Sequence, residues 1–119
     1  MLAIFDRRGF VRAWLDKEYV YNLDGDKVLA FLDGGGVYNI HGESLGFFST
    51  GFFRDKQGLV TGFLEAAQGG PRLPELREAP LSPLGVMPPL TPLPSLPATI
   101  PIPRNDWSNL DWRDFIRDI

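Results

Sequence analysis

His41 is the only histidine in the sequence and there is no cysteine, so structural zinc sites and Cys-His nucleophilic centres are excluded. Ser44 and Ser49 have no identifiable base. The carboxylates Asp6, Asp24, Asp26 and Asp55 fall in turn-like phrases, where they could form an acid–base pair only if the fold gathered those loops. Gly34-Gly35-Gly36 has the composition of a phosphate-cradling loop but lacks the following Lys-Ser/Thr and a helix behind it. The expectation is therefore a protein that is no enzyme and needs no cofactor or metal. Recognition is the remaining chemistry, and its candidate residues are Trp107, Leu110, Trp112, Phe115 and Ile116. Two Trp and a Phe there would each bury about 150 to 250 Å² on docking.

The elements that must carry these residues are repeats. Asp6-Arg7-Arg8-Gly9, Asn22-Leu23-Asp24-Gly25, Asn39-Ile40-His41-Gly42 and Asp55-Lys56-Gln57-Gly58 start 16, 17 and 16 residues apart. A second signal, Ala13-Trp14, Ala30-Phe31, Gly46-Phe47 and Gly62-Phe63, recurs at 17, 16 and 16. Two signals with one period define four β-hairpins. Asp or Asn opens a type I turn by accepting backbone N–H bonds, and Gly supplies the positive φ at its end. Three-residue hairpin loops of this kind set the register, which places Asp6 opposite Phe10, Phe5 opposite Val11 and Ile4 opposite Arg12.

Strand alternation then assigns two faces. Ile4, Val20, Val37 and Phe53 fall with Trp14, Phe31, Phe47 and Phe63 on one. Phe5, Tyr21 and Tyr38 fall on the other, with Val11, Val28, Val60, the small residues Ala13, Ala30, Gly46 and Gly62, and Leu15, Leu32, Phe48 and Leu64. Both faces are apolar, so each needs a cover. The small residues mark either close backbone approach around a pseudo-fourfold axis or simple strand bends. Repeat two carries one additional residue, and repeat four has Arg54 where the others have an aromatic.

The hydrophobic-aromatic-Asp/Asn-x-x-Gly units ending in Ala/Gly-aromatic resemble the bacterial 4-fold β-flower domain family. Trp107-Ser108-Asn109-Leu110-Asp111-Trp112 is similar to that family's C-terminal Trp-Ser-x-Leu-x-Trp segment. The resemblance implies an all-β fold of four consecutive hairpins around a pseudo-fourfold axis, followed by an extended Pro-rich segment. It implies no established activity.

All eleven prolines lie between Pro71 and Pro103, whereas residues 1–68 contain none and hold ten of the thirteen glycines. The expected organisation is a hairpin domain (1–68), a Pro-rich extended segment (69–103) and an aromatic docking segment (104–119). Proline favours polyproline II and forbids helix interiors and central strands. Leu81, Leu84, Leu90, Leu93, Leu96 and Ile100 make the segment greasy enough to lie along the hairpins. Pro80-Leu81-Ser82-Pro83 and Pro89-Leu90-Thr91-Pro92 also match the loose P-x-x-P pattern, for which a structural role is favoured. Asp111 is placed to cap a short helix starting at Trp112.

With about 68 residues and no disulfides, the hairpin domain calls for association or a docked tail. A net charge of −3 without a basic stripe excludes nucleic acid as a partner. Met1 to Phe5 runs straight into Asp6-Arg7-Arg8, so no signal peptide or membrane span is expected and a cytoplasmic location follows. The expected function is a small structural or protein-interaction module, its tail docking on its own or a neighbouring subunit. The partners are self-association or another protein. The alternative is a small-molecule site for sugars or cationic groups on exposed aromatic rows.

Overall fold

The computed structural model describes residues 1–94 and 101–117. Eight strands follow one another: β1 (Leu2–Phe5), β2 (Val11–Asp16), β3 (Tyr19–Asn22), β4 (Val28–Asp33), β5 (Gly36–Asn39), β6 (Ser44–Ser49), β7 (Phe52–Arg54) and β8 (Val60–Leu64). Each pairs antiparallel with the next, and β1 pairs with β8 through Ile4↔Leu64 and Phe5↔Phe63, closing the sheet into a barrel with no free edge. Among the described residues one short helix, α1 (Trp112–Ile116), follows.

The four turns share one hydrogen-bond plan. Gly9, Gly25, Gly42 and Gly58 each have φ between 76 and 86° and donate their N–H to the carbonyl of Asp6, Asn22, Asn39 and Asp55. Asp6, Asn39 and Asp55 each accept, on one side-chain oxygen, the N–H groups two and four residues on, at 2.9 to 3.0 Å. With the extra residue of repeat two, Asn22 Oδ1 instead accepts from the N–H groups four and five residues on, those of Asp26 and Lys27. The longer loop keeps the same closure.

Past the turn the register differs from simple alternation. Phe5 lies opposite Val11, but Ile4 lies opposite Ala13 rather than Arg12, which leaves Arg12 as an extra residue in β2. The same skip occurs at Leu29, Leu45 and Thr61 in the other hairpins. One bulged residue exchanges the two faces of everything beyond it. Ile4, Val20, Val37 and Phe53 therefore share the interior with Ala13, Leu15, Ala30, Leu32, Phe48 and Leu64, together with the bulged Leu29 and Leu45. Trp14 and Phe63 lie outside with Phe5, Val11, Tyr21, Val28 and Val60. The expected pairing of Ile4's row with Trp14's row is thus corrected.

Candidate functional site: an aromatic plug and a nine-residue belt

The interior is completed from the C-terminus. Asp111 caps α1 by accepting the Asp114 N–H at 2.9 Å, and Arg117, at φ 55°, ends it. Trp112, Phe115 and Ile116 are buried in the interior cluster, with Trp112 edge-on to Phe53 at 5.2 Å between centroids. The small residues make this possible. A methyl group on Gly62 would stand 2.7 Å from the Trp112 ring, and one on Gly46 would strike the Arg54 carbonyl and approach Phe115. Close backbone approach and room for the plug are both served by the glycines.

The other candidates of that segment sit elsewhere. Trp107 packs edge-on to Phe63 at 5.9 Å in the outer cluster, and Leu110 is exposed. The five residues are thus not one surface: three fill the barrel of their own chain, one covers its outside and one faces solvent.

The outer face is covered by the proline segment, which meets the four turns in order. Glu75 abuts Gly9, Pro83 and Leu84 abut Gly25, Pro92 and Leu93 abut Gly42, and Ile102 and Pro103 abut Gly58. Backbone hydrogen bonds fix the crossing points: Arg77 N–H to the Gly9 carbonyl at 2.9 Å, Val86 to Gly25 at 3.0 Å, and Arg104 to Gly58 at 3.1 Å. Glu75, Leu84, Leu93 and Ile102 are nine residues apart, and so are Arg77 and Val86, with Arg104 two steps further. The segment is therefore four nine-residue phrases, 71–79, 80–88, 89–97 and 98–106, each with proline at its fourth place: Pro74, Pro83, Pro92 and Pro101. Extended chain of this length spans on the order of 110 Å, comparable to the circumference of about 115 Å around a molecule 37 × 36 × 23 Å. The segment acts as a belt. Leu73 and Leu76 of the belt, with Met1, pack against the outer cluster, and the Tyr21 hydroxyl donates to the Val86 carbonyl at 3.0 Å. Leu96 and Ile100 lie outside the described residues.

The belt is fastened at repeat four. Arg54, fully buried, donates from Nη1 to the carbonyls of Gly58 at 2.8 Å and Arg104 at 2.7 Å, and its guanidinium lies 5.3 Å from the Phe52 ring centroid. Burial pulls its pKa below the ordinary guanidinium value. Beside it the buried Ser108 hydroxyl donates to Asp55 Oδ2 at 2.5 Å, while residues 106–108 run along the start of β8 through Val60 N–H to Asp106 and Ser108 N–H to Val60. Repeat four therefore joins the belt to the barrel through Arg54, which replaces an aromatic, and the stretch before α1 through its turn residue Asp55.

The remaining candidates are dispersed. His41 is exposed in its turn, and Asp6 is held by two backbone N–H groups and by Arg12 Nε at 2.7 Å. Trp14, Tyr21, Phe31, Tyr38, Phe47 and Phe63 are all buried, so the aromatic rows are not exposed as the ligand alternative required. Between the first two turns and α1 lies a cleft of about 490 Å³ lined by Asp6, Arg12, Asn22, Leu23, Asp24, Asp111, Trp112 and Arg113. Among the described residues no cluster of His, Cys, Asp or Glu is placed to hold a metal, and no helix is long and apolar enough to cross a membrane.

Fold and site together define a closed eight-stranded barrel of four hairpins, plugged by a C-terminal helix and bound by its own peptide. The family model described as 4-fold beta flower protein matches residues 2–116, and the chain belongs to that family. The family is a small β-rich domain of unknown function. Comparison with curated proteins and with solved structures found no match.

Proposed function

We propose that this protein is a small, non-catalytic structural module for protein–protein interaction, in which the barrel is the scaffold and the belt is the display. The four hairpins act as equivalents about a common axis, a reading supported by the bulge that recurs in each of them. The tail docks in cis, and its burial of Trp112, Phe115 and Ile116 supports this arrangement. A cytoplasmic setting accords with the absence of cysteine.

One observation carries the interaction reading. Leu81, Leu84, Met87, Leu90, Leu93 and Ile102 are 83 to 102% exposed, although the belt beneath them is fixed by hydrogen bonds. Large aliphatic side chains carried in water on a backbone tied at Arg77, Val86 and Arg104 mark a surface that is covered in use. A photo-crosslinking amino acid at Leu84 tests this in cells. The expected result is a protein adduct of discrete mass that disappears with Leu93→Glu and is absent when the probe stands at Leu2. Adducts to lipid alone, or none, would refute the reading.

A second reading rests on the mixed-charge cleft, where Asp24 and Asp111 are positioned for a small cationic or hydroxylated ligand. Titration with choline and with sugars, followed by amide shifts at Asp24 and Asp111, tests it: saturable shifts support it, and unmoved resonances end it.

A further inference from the structure

Leu81, Leu84, Met87, Leu90 and Leu93 stand three residues apart and are 91 to 102% exposed. Three residues is one turn of polyproline II, so these five side chains form a single outward stripe. Leu84 and Leu93 meet the barrel through their backbone carbonyls, at Gly25 and Gly42, while the side chains that touch these turns are those of Pro83 and Pro92. The stripe crosses an uncharged stretch: residues 79–103 contain no Asp, Glu, Lys, Arg or His, in a chain that is 23% charged. Its order of side chains, Leu-Leu-Met-Leu-Leu, is the same read in either direction about Met87.

We propose that the occupant of this stripe is a second copy of the same chain, its belt antiparallel and the twofold axis passing at Met87. The proposal rests on the interaction reading above and names the partner. A twofold interface must be complementary to itself: where one residue meets a second residue of the partner subunit, the second meets the first in return, and only a residue on the axis meets its own counterpart. A stripe palindromic about Met87 meets that condition: Leu81 faces the partner subunit's Leu93, and Leu84 faces the partner subunit's Leu90. The lack of charge removes the like-charge repulsion that self-pairing otherwise incurs. Five side chains cover on the order of 500 Å² per copy, against about 800 Å² per partner in a standard interface. An area of this size belongs to the small interfaces of reversible complexes rather than to obligate dimers.

Sedimentation equilibrium of the intact chain from roughly 1 to 500 µM tests the proposal. The mass is expected to rise from 13.3 kDa toward twice that value. Leu84→Glu should remain monomeric with an unchanged melting temperature, because the side chain is exposed. Adding Leu90→Lys to Leu84→Glu should restore the dimer, since the introduced charges meet only across the twofold; along one belt they are two turns apart. As the chain has no cysteine, Met87→Cys should crosslink to its symmetry mate on oxidation, whereas Leu2→Cys, also exposed, should not. A wild-type chain monomeric throughout, a Leu84→Glu dimer, failure of the lysine rescue, or equal crosslinking at positions 2 and 87 would each overturn the proposal. If the wild type is monomeric while the Leu84 probe captures a different protein, self-association fails and the interaction reading stands. If the probe captures no protein, both fail.

Discussion

The guanidinium of Arg54 donates a 2.7 Å hydrogen bond to the carbonyl of Arg104, joining the last hairpin to the end of the belt fifty residues later. The same nitrogen holds the Gly58 carbonyl, which also accepts the Arg104 N–H. In the other hairpins this place is taken by Phe5, Tyr21 and Tyr38. Arg54→Ala takes the donor from the part-buried Arg104 carbonyl, leaves the Gly58 carbonyl with the Arg104 N–H alone, and opens a hole beside Phe52. Each unsatisfied buried acceptor costs about 1–3 kcal/mol, so a loss of about 3 kcal/mol is expected in urea unfolding. A loss below about 1 kcal/mol would show that the clasp carries little of the belt's attachment.

Gly58 and Gly34 separate two reasons for glycine. Both have positive φ, at 86 and 55°, and an L side chain there costs about 1–2 kcal/mol. Around Gly34 a methyl group meets nothing within 4 Å, whereas at Gly58 it would strike the Ile102 carbonyl of the belt. Gly34→Ala should cost only the backbone term. Gly58→Ala should cost at least twice as much and speed hydrogen exchange at the Arg104 amide, which Gly34→Ala should leave unchanged. Thermal unfolding and amide exchange of the two full-length variants check this.

The turns were legible because Asx at the first place and glycine at the fourth perform a stated hydrogen-bonding task, and Asp111 was legible as a helix cap for the same reason. The bulge was not, because Arg12, Leu29, Leu45 and Thr61 share no side-chain property; a bulge is made by the backbone. Missing it exchanged the faces of Trp14 and Ala13. The belt's period was present in Pro74, Pro83, Pro92 and Pro101 but was masked by Pro88, Pro94, Pro97 and Pro103, which fall out of step. Arg54 stood out as a departure, yet its partners are carbonyl oxygens, which no sequence reveals.

Tyr21 provides a pH readout of the belt. Burial, and then the charge of Asp16, raise its pKa above the ordinary 10.0, and its hydroxyl donates to Val86. An acid whose folded pKa is raised keeps its proton in the native state while the unfolded chain ionises. Stability should therefore fall as pH rises above about 10 and should be flat with respect to this group below that value. Tyr21→Phe should lose the hydrogen bond, about 1 kcal/mol at neutral pH, and show a shallower alkaline decline. Unfolding midpoints between about pH 8 and 11 measure both, and identical slopes for the two chains would remove Tyr21 from the account.

Amide hydrogen exchange at Arg77, Val86 and Arg104 tests the belt most directly, because these N–H groups, themselves in neither helix nor strand, donate to Gly9, Gly25 and Gly58. Protection comparable to that of the barrel strands, beside fast exchange at the intervening Leu81 and Leu90 amides, is the expected pattern. Exchange at all five as fast as in an unfolded peptide would contradict a belt locked to the turns at Gly9, Gly25 and Gly58.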